Sequence, residues 1–170
     1  PIFALRAHYF HGLDYSALVL ADAAVIPPFV TDFSRLAHDH IDIFREIPTY
    51  VSEAMIEAHI RTATHKPLDD ETLAGYLQPW RGDDGVAAYW RCVACYDENM
   101  AQPVAERLGQ LQIPTLVLWG EHDAWLDPSM GKQLASTIPN ANLEMIPDAG
   151  HFSPEDNPEA FAARVARFTA

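Results

Sequence analysis

Three short apolar segments of strand length constrain the fold of this chain more than any other feature. Residues 16–21 show no alternation of polar and apolar side chains, which is typical of a strand buried on both faces of a parallel sheet. Residues 115–119 and 143–146 are two further apolar runs of this length. Each of these two is followed by a helical pattern, at residues 129–138 and 157–168. The succession of strands and helices predicts an α/β fold with a parallel sheet.

The middle of the chain has a different pattern. Between residues 29 and 102, apolar side chains recur at helical spacing and no segment has the pattern of a strand. We therefore predict two units: a partial α/β core formed by residues 1–28 and 103–170, and an all-helical insertion of residues 29–102. Within this helical insertion, residues 79–85 are predicted to form a loop and residues 86–99 a helix.

Two further predictions concern burial. Ile2–His11 is predicted to be a helix that ends at Gly12, is apolar on most sides and is buried. Cys92 and Cys95 lie inside a predicted helix, whereas redox pairs of this spacing lie at a helix N-terminus. A zinc site would need two more ligands at suitable spacing. We interpret the pair as two small buried side chains, and a redox or metal function through them is the weakest alternative.

Charge and composition exclude several classes of partner. The chain has 24 acidic and 11 basic residues and a net charge of −13, and such a field repels nucleic acids and anionic membranes. No apolar run approaches the roughly 20 residues of a membrane-spanning helix. Two cysteines suit a reducing compartment, and no signal-peptide pattern opens the sequence. We expect a cytoplasmic protein with no nucleic-acid or membrane partner.

A carboxylate and an imidazole follow two of the predicted strands. Asp123 comes shortly after residues 115–119, and His151 shortly after residues 143–146. Because parallel strands end at the same edge of a sheet, the two side chains are expected to meet there. A carboxylate bound to one ring nitrogen holds a histidine in one tautomer and supports its protonated form. Taken singly, each residue could be a turn former or a surface residue; together they predict a catalytic acid, Asp123, and a catalytic base, His151.

The third member of such a triad, a nucleophile, is not apparent. No Gly-x-Ser-x-Gly or comparable turn between a strand and a helix occurs in the 170 residues. Ser16 enters a strand, Ser129 begins a helix, and Ser153 is a loop residue or a neighbour of a helix cap, so none is expected to act as the nucleophile. Asp22, which follows the first strand, is an alternative candidate for the acid.

Because of Asp123, His151 and the strands that precede them, the sequence resembles the C-terminal part of an α/β-hydrolase fold protein. The Gly-x-x-Asp and Gly-His-Phe segments of residues 114–168 are similar to the family's loops after strands seven and eight. Residues 16–21 resemble its strand six, residues 29–102 its helical cap, and residues 1–12 the helix that follows its nucleophile. The resemblance implies a hydrolase of the ester, haloalkane or epoxide class without metal or organic cofactor. Its nucleophile, Ser or Asp, would lie before Pro1.

The resemblance also implies a substrate and partners. The substrate would be small and largely apolar, held under the cap, with Trp125, Trp90 and Tyr89 as candidate binding residues. Without its nucleophile the chain is expected to be inactive alone; the alternative is a non-catalytic remnant that binds or oligomerises. Because the strand of residues 16–21 would be an apolar edge without a protecting charge, we expect a homo-oligomer or pairing with a separate N-terminal half.

Overall fold

A three-stranded parallel sheet organises the chain, which the computed structural model describes over residues 1–170. The strands are β1 (Leu18–Ala21), β2 (Thr115–Gly120) and β3 (Ala141–Ile146), in the order β1-β2-β3. All six residues of β2, the central strand, are buried, as expected for a parallel strand covered on both faces. The predicted α/β class with a parallel sheet is confirmed.

Ten α-helices surround this sheet. One precedes β1, six lie between β1 and β2, one lies between β2 and β3, and two follow β3. They are α1 (Ile2–His11), α2 (Asp32–Asp39), α3 (Ile41–Glu46), α4 (Thr49–Arg61), α5 (Asp70–Leu77), α6 (Gly82–Ala94), α7 (Gln102–Ala105), α8 (Pro128–Thr137), α9 (Ser153–Asp156) and α10 (Pro158–Thr169). Short 3₁₀ turns occur at Gln78–Trp80, Glu98–Met100 and Leu108–Gln110. None of the helices has both the length and the apolar content that crossing a bilayer requires.

Alternate residues of β2 point to opposite sides of the sheet and join different hydrophobic clusters. Val117 and Trp119 pack on the side of α1 and α8, in the largest cluster. Leu116 and Leu118 pack on the other side, where α10 covers them. A third cluster lies wholly within the helical insertion and includes Trp90. The insertion therefore has a hydrophobic core of its own, separate from those of the sheet.

The structure corrects the predicted burial of α1. Leu5 is its only buried residue, and Phe3 is 80% exposed. The helix does end at Gly12, which has a left-handed φ of 68°. One side of α1 packs on the sheet, while an apolar side faces away from it. An apolar pattern on most sides of α1 therefore does not mean that the whole helix is buried.

The structure also corrects two predictions for the helical insertion. Helix α6 begins at Gly82, within the predicted loop of residues 79–85, and its first turn carries Asp83 and Asp84, which favour a helix N-terminus. Cys92 and Cys95 are exposed, not buried. The buried face of α6 is formed by Val86, Tyr89, Trp90 and Val93. The two cysteines lie outside this face.

Candidate active site

Asp123 and His151 lie within hydrogen-bonding distance at the carboxyl edge of the sheet. His151 Nδ1 is 3.0 Å from Asp123 Oδ2. The Asp123 side chain is completely buried, and the His151 side chain is 19% exposed. The other carboxylate oxygen, Oδ1, accepts hydrogen bonds from the backbone N–H groups of Trp125 and Leu126, each at 2.9 Å. The carboxylate is thus held from both sides, and it orients the imidazole.

Asp22, the alternative acid of the sequence analysis, has a different position. Its Oδ1 accepts a hydrogen bond from Gly120 N at 2.8 Å, and its Oδ2 accepts one from Ser153 Oγ at 2.5 Å. It makes no hydrogen bond to His151, whose partner is Asp123. Asp22 therefore joins the end of β1 to the two loops that carry the acid and the histidine.

The burial of Asp22 has an electrostatic consequence. Burial raises the pKa of Asp22 to about 6, although the hydrogen bonds from Ser153 and Gly120 oppose the shift. Ser153 is fully buried and donates its hydroxyl to this carboxylate. Its burial and this hydrogen bond give Ser153 a structural role. This agrees with the expectation that Ser153 is not the nucleophile.

A third buried carboxylate, Asp156, joins the helical insertion to the loop of the histidine. Its Oδ2 accepts hydrogen bonds from Gly150 N at 2.7 Å and His65 N at 2.8 Å, and its Oδ1 accepts one from Lys66 N at 2.8 Å. Sequence analysis did not identify Asp156. No local pattern could have revealed it, because two of its three partners lie in a distant part of the chain.

Two glycines allow these segments to approach. A Cβ atom on Gly120 would collide with the backbone oxygen of Gly150. A Cβ on Gly150 would lie 2.8 Å from both Ala63 O and His65 N. Gly150 thus permits close backbone contact next to His151. The loop of the acid, the loop of the histidine and the insertion therefore meet backbone to backbone.

An apolar cavity of about 340 Å³ lies beside His151, and 10 of its 14 lining residues are hydrophobic. Trp125 and Tyr89, two of the three predicted substrate-binding residues, line it together with His151. Trp90, the third, does not line this cavity. Trp90 is instead buried between aromatic rings of the insertion, and its Nε1 donates to Ser52 Oγ at 3.3 Å. Regular helical spacing cannot distinguish a ring that faces a cavity from one in a core.

Trp125 links the insertion to the histidine by ring contacts. It stacks on His59 of α4 with ring centroids 4.4 Å apart and an interplanar angle of 7°, and its ring centroid lies 4.9 Å from that of His151. Its Nε1 donates to Thr62 Oγ1 at 2.9 Å. Burial, with a smaller effect of the nearby His151, lowers the pKa of His59 to about 4. His59 is therefore a neutral ring in the cavity wall, a role that sequence analysis missed because its spacing matches the apolar positions of α4.

Comparison with known proteins decides the family. A family model of the α/β hydrolase fold matches residues 85–158, a stretch that contains both Asp123 and His151. An α/β-hydrolase fold protein from Burkholderia ambifaria matches the structure with a TM-score of 0.92 and 34% identity, over 98% of this chain and 62% of that chain. This chain belongs to the α/β-hydrolase superfamily.

Other members of the superfamily match this α/β-hydrolase chain at lower identity. A thermophilic esterase from Thermogutta terrifontis has a TM-score of 0.64 and 26% identity, over 99% of this chain and 60% of that chain. The uncharacterized hydrolase YugF of Bacillus subtilis is 28% identical over 132 residues, which are 76% of this chain and 47% of the relative. The chain thus spans about half the length of this curated relative.

Proposed function

We propose that this chain carries the acid and the base of an α/β-hydrolase that hydrolyses small, uncharged, largely apolar esters. The observation that carries the proposal is the pairing of His151 with the buried Asp123 at 3.0 Å, beside an apolar cavity. Similarity to an esterase of the same superfamily supports the ester class over the haloalkane and epoxide classes.

The proposed chemistry assigns one role to each side chain. His151 takes the proton of a serine hydroxyl as that oxygen attacks the ester carbonyl, and it then gives the proton to the departing alcohol. His151 next takes a proton from a water molecule, whose oxygen attacks the carbonyl of the acyl-serine. The bond to the serine oxygen breaks, and His151 returns the proton to that oxygen, which releases the carboxylic acid product and restores the serine. Asp123 supports the protonated imidazole in both steps. We propose that the serine comes from a segment outside these 170 residues.

The wall of the cavity supports an uncharged substrate. No lysine or arginine is among its lining residues, and the chain carries a net charge of −13. A negatively charged ester would therefore find no cation to bind. Cavities that bind small ligands measure roughly 300–1,000 Å³, so a cavity of about 340 Å³ fits a small ester.

The edge of the sheet supports the proposal that the missing group comes from a further segment. Strand β1 pairs with β2 on one side only, and Phe3, Phe10 and Leu13 are large exposed apolar side chains nearby in the sequence. A free strand edge pairs readily with another strand. We propose that the strand that pairs with the free edge of β1 belongs to the part of the protein that bears the serine, rather than to a second copy of the chain.

The proposal is tested by hydrolysis of p-nitrophenyl butyrate, measured on the full gene product and on the 170-residue chain. The gene product should turn over the ester and the isolated chain should not. In the gene product, His151→Ala and Asp123→Asn should each lower kcat by about 10³- to 10⁴-fold. Asp127→Asn is the matched control, because this acid lies in the same loop and only caps α8. It should leave kcat unchanged.

Three results would count against this proposal. Full activity in both variants would remove the roles of Asp123 and His151. Ester hydrolysis by the isolated chain would show that the nucleophile lies within it. A gene product without activity on short esters would instead favour a non-catalytic binding or oligomerising module, whose self-association light scattering would reveal.

A further inference from the structure

Three side chains able to bind a metal meet on the surface next to the candidate active site. His65 follows α4 in the helical insertion, His122 directly precedes Asp123, and Asp148 lies in the loop after β3. Their ligand atoms all lie within 4.8 Å of one another, and all three residues are exposed. We propose that His65, His122 and Asp148 bind one divalent transition-metal ion of the zinc type.

The donor atoms favour this class of ion. Two imidazole nitrogens and one carboxylate oxygen are ligands that suit Zn²⁺, whereas Mg²⁺ and Ca²⁺ prefer oxygen alone. Bonds of about 2.1 Å in a tetrahedral site place neighbouring donor atoms roughly 3.4 Å apart. The present spacing lies within reach of that value by small rotations of exposed side chains. The fourth position would be open to water.

The backbone on which these ligands stand is already held in place. His122 N donates to Ala149 O at 2.8 Å, which ties the loops of His122 and Asp148 together. His65 N and Gly150 N both donate to Asp156 Oδ2, at 2.8 and 2.7 Å. Binding therefore requires no rearrangement of the main chain, and a site on a fixed backbone loses less entropy when it binds an ion.

The three side chains are also free to bind. The structure gives none of them a hydrogen bond or an ion pair to a side chain or backbone group. The rings of His65 and His122 stack face to face, with centroids 4.0 Å apart and an interplanar angle of 16°. Because the lone pair of an imidazole nitrogen lies in the plane of the ring, the two exposed rings must turn out of this stack to bind one ion. Asp148 has a left-handed φ of 52°, which is uncommon for a residue other than glycine. This backbone turn brings the carboxylate next to the two rings.

The site is separate from the proposed hydrolysis, because neither Asp123 nor His151 is among its ligands. Its consequence is structural: one ion would join the helical insertion to both loops that carry the acid and the base. Sequence analysis expected no metal. Its ligands come from three distant segments, so their spacing along the chain could not reveal them.

Isothermal titration of the EDTA-treated and dialysed protein with zinc chloride tests the proposal. We expect one Zn²⁺ per chain with a dissociation constant in the micromolar range. His65→Ala, His122→Ala and Asp148→Asn should each weaken binding at least tenfold. His11→Ala is the matched control, because His11 is exposed and lies at the end of α1; it should bind zinc like the unchanged protein.

Thermal unfolding gives an independent measurement. Zinc should raise the Tm of the unchanged protein and of His11→Ala by several degrees, and should not raise that of His122→Ala. The proposal is overturned if the unchanged protein takes up no zinc, or if the three ligand variants bind it as tightly as the control. These outcomes do not depend on ester hydrolysis, so the two proposals can fail separately.

Discussion

The two regions that form the candidate site are held together by different kinds of interaction. At the edge of the sheet, three buried carboxylates accept hydrogen bonds from neighbouring backbone or side-chain groups: Asp22 and Asp123, in loops, and Asp156, at the end of α9. In the core of the helical insertion, the rings of Trp90, Phe44 and Tyr89 pack edge to face at centroid distances of 5.0–5.1 Å, and the side-chain hydrogen bond within this core joins Trp90 Nε1 to Ser52 Oγ. The edge of the sheet is therefore held by directional hydrogen bonds, and the core of the insertion by the close packing of aromatic rings.

This difference matches what each region must do. Proton transfer requires donor and acceptor atoms at hydrogen-bonding distance, roughly 2.6–3.2 Å. Hydrogen bonds to fixed carboxylates hold the reacting groups within roughly 0.5 Å of that geometry. A wall that receives an apolar substrate needs bulk and an absence of charge, which packed rings supply. Changes in the loops should therefore affect geometry and pH response, whereas changes in the insertion should affect stability or substrate affinity.

The largest expected effect on stability is that of Asp156→Ala. The change leaves three backbone N–H groups without their acceptor at the contact between the insertion and the histidine loop. Since hydrogen bonds to a charged group contribute about 1.5–3 kcal/mol each, the loss of all three should lower the free energy of unfolding by at least about 4.5 kcal/mol. Urea denaturation measures it, with Glu159→Ala, an exposed acid in the first turn of α10, as the control. A loss no greater than that of the control would show that Asp156 does not join the two regions.

The next effect is a pH dependence that comes from Asp22. Its pKa is about 6 in the folded state and 3.8 at its ordinary value, so the folded protein holds this proton more tightly. The resulting stabilisation is complete below pH 4 and is lost as the pH rises through 6, which amounts to about 3 kcal/mol at 1.36 kcal/mol per pKa unit. Asp22→Asn does not titrate, so it does not lose this stabilisation as the pH rises. Its side-chain amide can still accept a hydrogen bond from Gly120 N and donate one to Ser153 Oγ.

Urea denaturation of this variant at several pH values is the measurement. Between pH 4 and 7, the stability of Asp22→Asn relative to the unchanged protein should rise. Asp127→Asn should instead run parallel to the unchanged protein in this range, because hydrogen bonds from Ser129 lower the pKa of Asp127 and its contribution changes only at lower pH. Parallel curves for Asp22→Asn and the unchanged protein would mean that Asp22 is ionised throughout this range.

The smallest effects distinguish the two tryptophans. Trp90→Phe replaces the buried indole by a smaller ring and removes its hydrogen bond to Ser52. It should lower the free energy of unfolding by about 2 kcal/mol with little change in KM. Trp125→Phe alters the cavity wall and should change KM for p-nitrophenyl butyrate several-fold with a smaller loss of stability. Urea denaturation and steady-state kinetics on the gene product measure both. If the effects were exchanged, the assignment of Trp90 to the core and Trp125 to the cavity would be wrong.

Sequence reasoning performed well where the signal is local. Helix α1 was predicted with its observed bounds, and β2 with an error of one residue. Burial within helices was predicted less well. Cys92 was expected in the core but is exposed, and Trp90 was expected at the cavity but lies in the core. The physical reason is that a helical period defines a stripe of residues. It does not say which neighbour that stripe meets.

The sequence by itself determined the parallel sheet and the presence of an acid and a histidine at its carboxyl edge. These features depend on short contiguous patterns and on the rule that parallel strands end together. Only the tertiary structure decided that Asp22 and Asp156 hold the loops in place, and that His65, His122 and Asp148 meet. Those contacts join residues far apart in the chain, and long-range packing alone determines which of them become neighbours.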